Sequence, residues 1–147
     1  MSVARLLKSK SSDVVTIGPD ATLGVAATLL IQHGIGGLPV VETGGRVVGF
    51  LAERDVVSAV VDSGRPIRER PVREVMRRPA PLCAVDDSIH VAMARMTRER
   101  LRHLVVVRDE QVVGVLSVGD LVKHRLEELE TETGVLRDYV IAQRARM

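Results

Sequence analysis

The sequence is nearly devoid of aromatic side chains, with one Phe, one Tyr and no Trp in 147 residues. Binders of single-stranded nucleic acid need aromatic platforms on which bases stack, so this scarcity counts against that class, and against carbohydrate recognition. Cysteine occurs once, at Cys83, which excludes an intrachain disulfide and a cysteine-rich metal site. His33, His90 and His124 stand apart, with no metal-ligand spacing. Lysine is confined to Lys8, Lys10 and Lys123. The other basic residues are arginines, whose planar forks suit phosphate, although genome composition produces the same skew. No apolar run approaches the ~20 residues of a membrane span. The run near Met1 is too short for a signal peptide. The expectation is a cytoplasmic protein with no membrane partner.

Hydrophobic residues make up 46% of the chain and the net charge is +2. A core is therefore available, built from Val, Leu, Ile, Ala and Met, in one domain or two small half-domains. The chain repeats itself. Shifted onto its second half, Thr16 falls on Leu82, Asp20 on Asp86, Leu23 on Ile89, Leu38 on Leu104 and Val41 on Val107. One residue is lost at the following turn. Val47-Val48-Gly49 then meets Val112-Val113-Gly114, and Asp55 meets Asp120.

Each copy reads as β-α-β-β-α, an α/β (α+β) unit. A short strand over 14–17, or 82–84, precedes a helix that Thr22 or Ser88 caps. Leu23, Ala26, Ala27 and Leu30 form one apolar helical face, which Ile89, Ala92, Met93 and Met96 repeat. Hairpins follow over 38–41 and 46–51, and over 104–107 and 111–116. Their strands are almost wholly apolar, as expected of strands buried on both faces. Second helices start near Glu53 and Val118. The intervening segment from Gly64 to Pro79 is rich in Arg and Pro, with one helical turn over 72–76. A charged helix is predicted over 123–146, on which Leu126, Leu129, Thr133, Leu136 and Val140 follow a 3-4 spacing that leaves an apolar stripe. The expected boundaries are 1–66 and 67–125 for the repeats and 126–147 for the tail.

The segments Thr16-Ile17-Gly18-Pro19-Asp20-Ala21-Thr22, Gly37-Leu38-Pro39-Val40-Val41 and Gly49-Phe50-Leu51-Ala52-Glu53-Arg54-Asp55 carry a family resemblance. So do Arg102-His103-Leu104-Val105-Val106 and Gly114-Val115-Leu116-Ser117-Val118-Gly119-Asp120 in the second copy. In this order and twice over, they resemble the tandem CBS-domain pair, or Bateman module, in its stand-alone form. The resemblance implies a pseudo-twofold pair with two three-stranded sheets and two clefts between the repeats. It implies an adenine nucleotide (AMP, ADP or ATP) as ligand, with NAD(H) or S-adenosylmethionine as alternatives, no required cofactor, and commonly a homodimer.

The resemblance also assigns roles. Asp55 and Asp120 would take the ribose hydroxyls, a task for which an acceptor-only carboxylate is suited. Ser117 would stand at a phosphate-favouring helix start, where Ala52 lacks the hydroxyl. Arg54, Arg102 and His103 would contact phosphate, so adenosine is expected to bind more weakly than AMP. Thr16, Ile17, Leu82 and Cys83 would line the adenine, and Pro19, Leu38, Pro39, Ala52 and Leu104 also fall among the nucleotide-binding positions that the resemblance implies. Ser117 to Asp120 also fits a helix capping box. Ala52 cannot complete such a box, yet Asp55 is present, which favours ribose binding. Cys83 reads as a small buried hydrophobe rather than a redox switch.

No nucleophile elbow, Walker loop or dinucleotide fingerprint is present, so an enzyme is not expected. The reading is a regulatory module that senses an adenine nucleotide and acts on an unidentified partner protein. The alternatives are a scaffold with decayed clefts, or a nucleic-acid binder using Arg65, Arg68, Arg70, Arg73, Arg77 and Arg78. That basic run is interrupted by Glu69 and Glu74 and has no recognition helix beside it.

Overall fold

The computed structural model describes residues 1–10, 13–62 and 66–145. Gly64 and Arg65 of the linker, the Leu136 side chain and Arg146 lie outside the described residues. The elements in chain order are α1 (Val3–Ser9), α2 (Leu23–His33), β1 (Gly37–Val41), β2 (Val47–Ala52), α3 (Glu53–Asp62), β3 (Leu82–Ala84), α4 (Ile89–Glu99), β4 (His103–Arg108), β5 (Gln111–Ser117) and α5 (Val118–Ala145). Two single 3-10 turns, Ile67–Glu69 and Val72–Glu74, punctuate the linker. The hydroxyls of Thr22 and Ser88 accept the N–H groups of Val25 and Val91, capping α2 and α4 as expected.

The hairpins repeat in detail. Gly37 faces Ala52 in the first copy, and His103 faces Ser117 in the second. Both registers slip at equivalent points, between Val40 and Val41 and between Val106 and Val107. The first turn uses Gly44 and Gly45 at positive φ, whereas the shorter second turn places Asp109 and Glu110 there. The sheets are unequal, against the expectation of two three-stranded sheets. β3, β4 and β5 form one three-stranded sheet, while β1 and β2 stand as a pair. The strand expected over 14–17 contracts to a single parallel bridge from Ile17 to Val40. Pro19, which offers no N–H, follows two residues later. The second helix of the second copy and the tail are one continuous 28-residue helix.

The cores do not follow chain order. α1 packs Val3 and Leu6 among Ile89, Ala92, Leu104 and Leu116 of the second repeat. The linker packs Val72 and Met76 among Leu23, Leu38 and Leu51 of the first. Backbone bonds repeat the exchange. The N–H groups of Val3 and Ala4 donate to the carbonyls of Asp87 and Val85, each at 2.9 Å. Those of Val72 and Arg73 donate to Ala21 and Pro19, at 2.8 and 2.9 Å. Each repeat's lead-in segment is thus bound to the other repeat, in a pseudo-twofold arrangement.

This exchange explains the glycine repeated in Val-Val-Gly. A Cβ on Gly114 would lie 2.8 Å from Leu7 Cδ2 of the incoming α1. A Cβ on Gly49 would lie 2.6 Å from Met76 Sδ and 2.9 Å from the Arg77 carbonyl oxygen. The Arg77 backbone is tied to Phe50 by hydrogen bonds in both directions, so it cannot yield as a side chain can. Gly49→Ala is expected to cost about 1–3 kcal/mol by overpacking. Urea denaturation measures the loss.

Candidate functional site

A cleft of about 590 Å³ opens between the repeats, within the size range of small-ligand sites. Val14, Val15 and Ile35 of the first repeat and Val113 and Val115 of β5 supply apolar wall. Gly36 and Gly37 bring bare backbone to its edge, and His103, Ser117, Asp120 and Lys10 supply the polar groups.

The polar end is built at the junction of β5 and α5. Ser117 Oγ accepts the Asp120 N–H at 3.1 Å, and Asp120 Oδ2 accepts the Ser117 N–H at 2.8 Å, which completes a capping box. The same Oδ2 accepts Lys10 Nζ at 2.7 Å, and Lys10 also donates to the Val115 carbonyl at 2.8 Å. Burial alone would raise the Asp120 pKa, but the bonds from Lys10 and Ser117 outweigh it and hold the carboxyl below its ordinary value. Asp120 is therefore ionised at neutral pH, and Oδ1 makes no hydrogen bond among the described residues.

His103 lies half-buried at the start of β4, its ring 5.3 Å from that of Phe50. Gly36 leaves room for it, since a Cβ there would sit 3.2 Å from Nε2. Burial lowers the His103 pKa first, assisted by Lys10 and Arg102 and opposed by Asp120 and Glu53. The ring is a neutral donor and acceptor near pH 7, not a fixed positive charge.

Of the residues expected from the sequence, the cleft brings together His103, Ser117 and Asp120. Val14 and Val15 line this cleft, and Thr16 and Ile17 do not. Thr16 and Ile17 instead line a separate hollow of about 460 Å³ beside Gly45 and Gln111. Leu38, Pro39 and Leu104 are fully buried, so their side chains fill the cores rather than a ligand wall. Pro19 is engaged by the linker through its carbonyl. Leu82 is partly exposed on β3, and Cys83 is packed in the second core. Burial, then Asp87, pushes the Cys83 thiol up to about 11, consistent with an inert hydrophobe.

Ala52, Arg54, Asp55 and Arg102 do not line this cleft. Arg54 and Arg102 are exposed. Asp55 Oδ2 accepts the Ala52 N–H at 2.8 Å. Ala52 therefore does not distinguish ribose binding from capping, because Asp55 makes the capping contact without a hydroxyl partner. Lys10 escaped the sequence reading. Its one signal was rarity among basic residues that are otherwise arginine. In the linker, Arg70 pairs with Glu74 at 3.1 Å and Arg73 with Asp20, which neutralises part of the basic run. Among the described residues no helix is long and apolar enough to cross a membrane, and no group of three His, Cys, Asp or Glu is placed to hold a metal.

The geometry matches known proteins. The CBS domain pattern fits residues 5–62 and 72–127. The chain is 31% identical over 125 residues to the mitochondrial CBS domain-containing protein CBSX3 of Arabidopsis thaliana, covering 82% of this chain and 61% of that protein. The crystal structure of the CBS-domain protein ATU1752 from Agrobacterium tumefaciens superposes with a TM-score of 0.78 at 37% identity, covering 84% of this chain and 92% of that one. The CBS domain pair of protein MJ0100, solved with 5′-methylthioadenosine and S-adenosylmethionine, shares the fold with a TM-score of 0.77 at 22% identity, over 87% of this chain and 98% of that one. Two pattern matches, an α-β-β-α order repeated in both halves and these likenesses converge: the chain belongs to the CBS-domain family and is built as a tandem CBS pair.

Proposed function

We propose that this CBS pair is a non-catalytic regulatory module that binds an adenine nucleotide or related adenosine ligand in the cleft bounded by Lys10, His103 and Asp120. Its occupancy is passed to a partner protein. The observation that carries the reading is the pairing of the apolar wall of Val14, Val15 and Ile35 with the ionised Asp120 carboxylate across one cleft. The wall suits an adenine ring, and the carboxylate suits a ribose diol, which offers two donors to an acceptor-only group. The adenosine-type ligands of the MJ0100 pair agree with this choice.

A ligand that binds only the folded state raises stability by about 2.7 kcal/mol at roughly 100 times its dissociation constant. The test is thermal unfolding with AMP, ADP, ATP, NADH, S-adenosylmethionine and adenosine, followed by calorimetric titration of any that shift the melting temperature. At least one adenosine compound is expected to do so. No shift with any at millimolar concentration leaves the scaffold reading in its place.

The proposed active form is a homodimer. Ile31 of α2, Val57, Val60 and Val61 of α3, and Leu126, Tyr139 and Ile141 of α5 are exposed apolar residues of the kind association covers. Sedimentation at micromolar concentration is expected to give a species of twice the chain mass. A 16.0 kDa species alone overturns that assembly.

A further inference from the structure

The geometry points to a cleft that selects adenosine ligands with a neutral or cationic 5′ substituent over those carrying phosphate. This rests on the proposed function and narrows its ligand class. The chain has 21 lysines and arginines, yet among the described residues Lys10 is the sole one lining the cleft. Asp13 and Asp120 line it too, so the lysine and aspartate side chains of the wall carry one positive charge against two negative.

The one cation is already engaged, by Asp120 Oδ2 and the Val115 carbonyl. The start of α5, where a phosphate would be expected to sit, is occupied by its own cap. The Asp120 N–H is given to Ser117 Oγ, and the Asp120 carboxylate stands beside it. The arginines on which phosphate recognition depended, Arg54 and Arg102, lie outside the lining. The half-buried His103, its pKa lowered chiefly by desolvation, adds no charge near pH 7. A phosphate entering here meets two carboxylates and one pre-paired ammonium. A ribose diol meets the Asp120 carboxylate, whose Oδ1 makes no hydrogen bond among the described residues, and a sulfonium or ammonium group gains from the net negative wall. Like charges about 6 Å apart in such a setting change an affinity by roughly tenfold to a hundredfold.

The experiment is calorimetric titration of the full chain at about pH 8, above the usual imidazole pKa. The probes are adenosine, 5′-methylthioadenosine, S-adenosylmethionine, AMP and ATP. Each titration is repeated on Asp120→Ala, which is expected to weaken 5′-methylthioadenosine by at least about tenfold. 5′-Methylthioadenosine and S-adenosylmethionine are expected to bind at least about tenfold more tightly than AMP and ATP. Added salt should narrow the gap by screening the repulsion, and so should Asp13→Asn. Lys10→Gln should tighten S-adenosylmethionine, because it removes the one positive charge that the described lining residues contribute. Equal affinities, or tighter binding of AMP or ATP, overturn the selectivity while leaving the proposed function standing. A tenfold loss confined to AMP in Lys10→Gln also overturns it, because the lysine is then a phosphate ligand. Binding by none of the five overturns both, as does binding that Asp120→Ala leaves intact.

Discussion

Leu6→Ala is expected to destabilise the protein by about 2–5 kcal/mol, although Leu6 lies far in sequence from the residues it stabilises. Leu6 is 6% exposed and packs in the core of the second repeat. Its neighbour Val3 is fully buried there, and α1 is fastened by backbone bonds to Val85 and Asp87. Truncation opens a cavity whose rigid walls, β4 and α4, have little room to collapse. The matched substitution Val72→Ala should weaken the first repeat in the same way, because Val72 holds the equivalent place in the other core. Urea denaturation followed by far-ultraviolet circular dichroism measures both. A Leu6→Ala protein as stable as the parent would mean that α1 is not bound to the second repeat in solution. The exchange of lead-in segments also implies that neither repeat, cut out alone, retains its full core.

Asp120→Ala is expected to weaken ligand binding by about 1.5–3 kcal/mol, or roughly 10- to 150-fold, the scale of hydrogen bonds to a charged group. The substitution removes more than a ligand contact. It leaves the Ser117 N–H and Lys10 Nζ without their shared acceptor, and loss of a helix-start partner costs about 0.5–2 kcal/mol of stability. Asp120→Asn separates the two effects. Its amide oxygen can still accept the Ser117 N–H, but it attracts Lys10 less and offers the ribose one acceptor instead of two. Asp120→Asn should therefore fold with nearly parental stability and still bind poorly. If Asp120→Ala unfolds early while binding is unchanged once stability is accounted for, the carboxylate is a cap alone. Because Asp120 ionises below the ordinary carboxylate range in the fold, its contribution to stability is present above the unfolded-state pKa. It is lost as pH falls through the lower folded-state value.

Much of this protein was legible in its sequence because the informative signals are local. Helix starts at Thr22 and Ser88, the 3.6-residue spacing of Leu23, Ala26 and Leu30, and apolar strands broken by Gly44-Gly45 or Asp109-Glu110 all act within a few residues. Their recurrence in the second half established the tandem repeat and its element order. The same local logic placed Ser117 and Asp120 at the start of α5, where the capping box holds them.

What only the tertiary structure decided depends on distance and on facing. The Lys10–Asp120 contact joins residues 110 positions apart, and no local pattern marks either as the other's partner. The placing of α1 in the second core and of Val72 in the first depends on contacts between segments distant in sequence. The repeated Gly49 and Gly114 were visible as repeats, but their reason, room for Met76 and Leu7, appears only in that exchange. Facing decided the cleft wall. In extended chain a shift along the backbone changes which side chains meet the ligand, so Val14 and Val15 line the cleft while Thr16 and Ile17 turn to another hollow. The charge of the cleft was the last property to emerge, because it depends on which of many arginines the fold leaves outside.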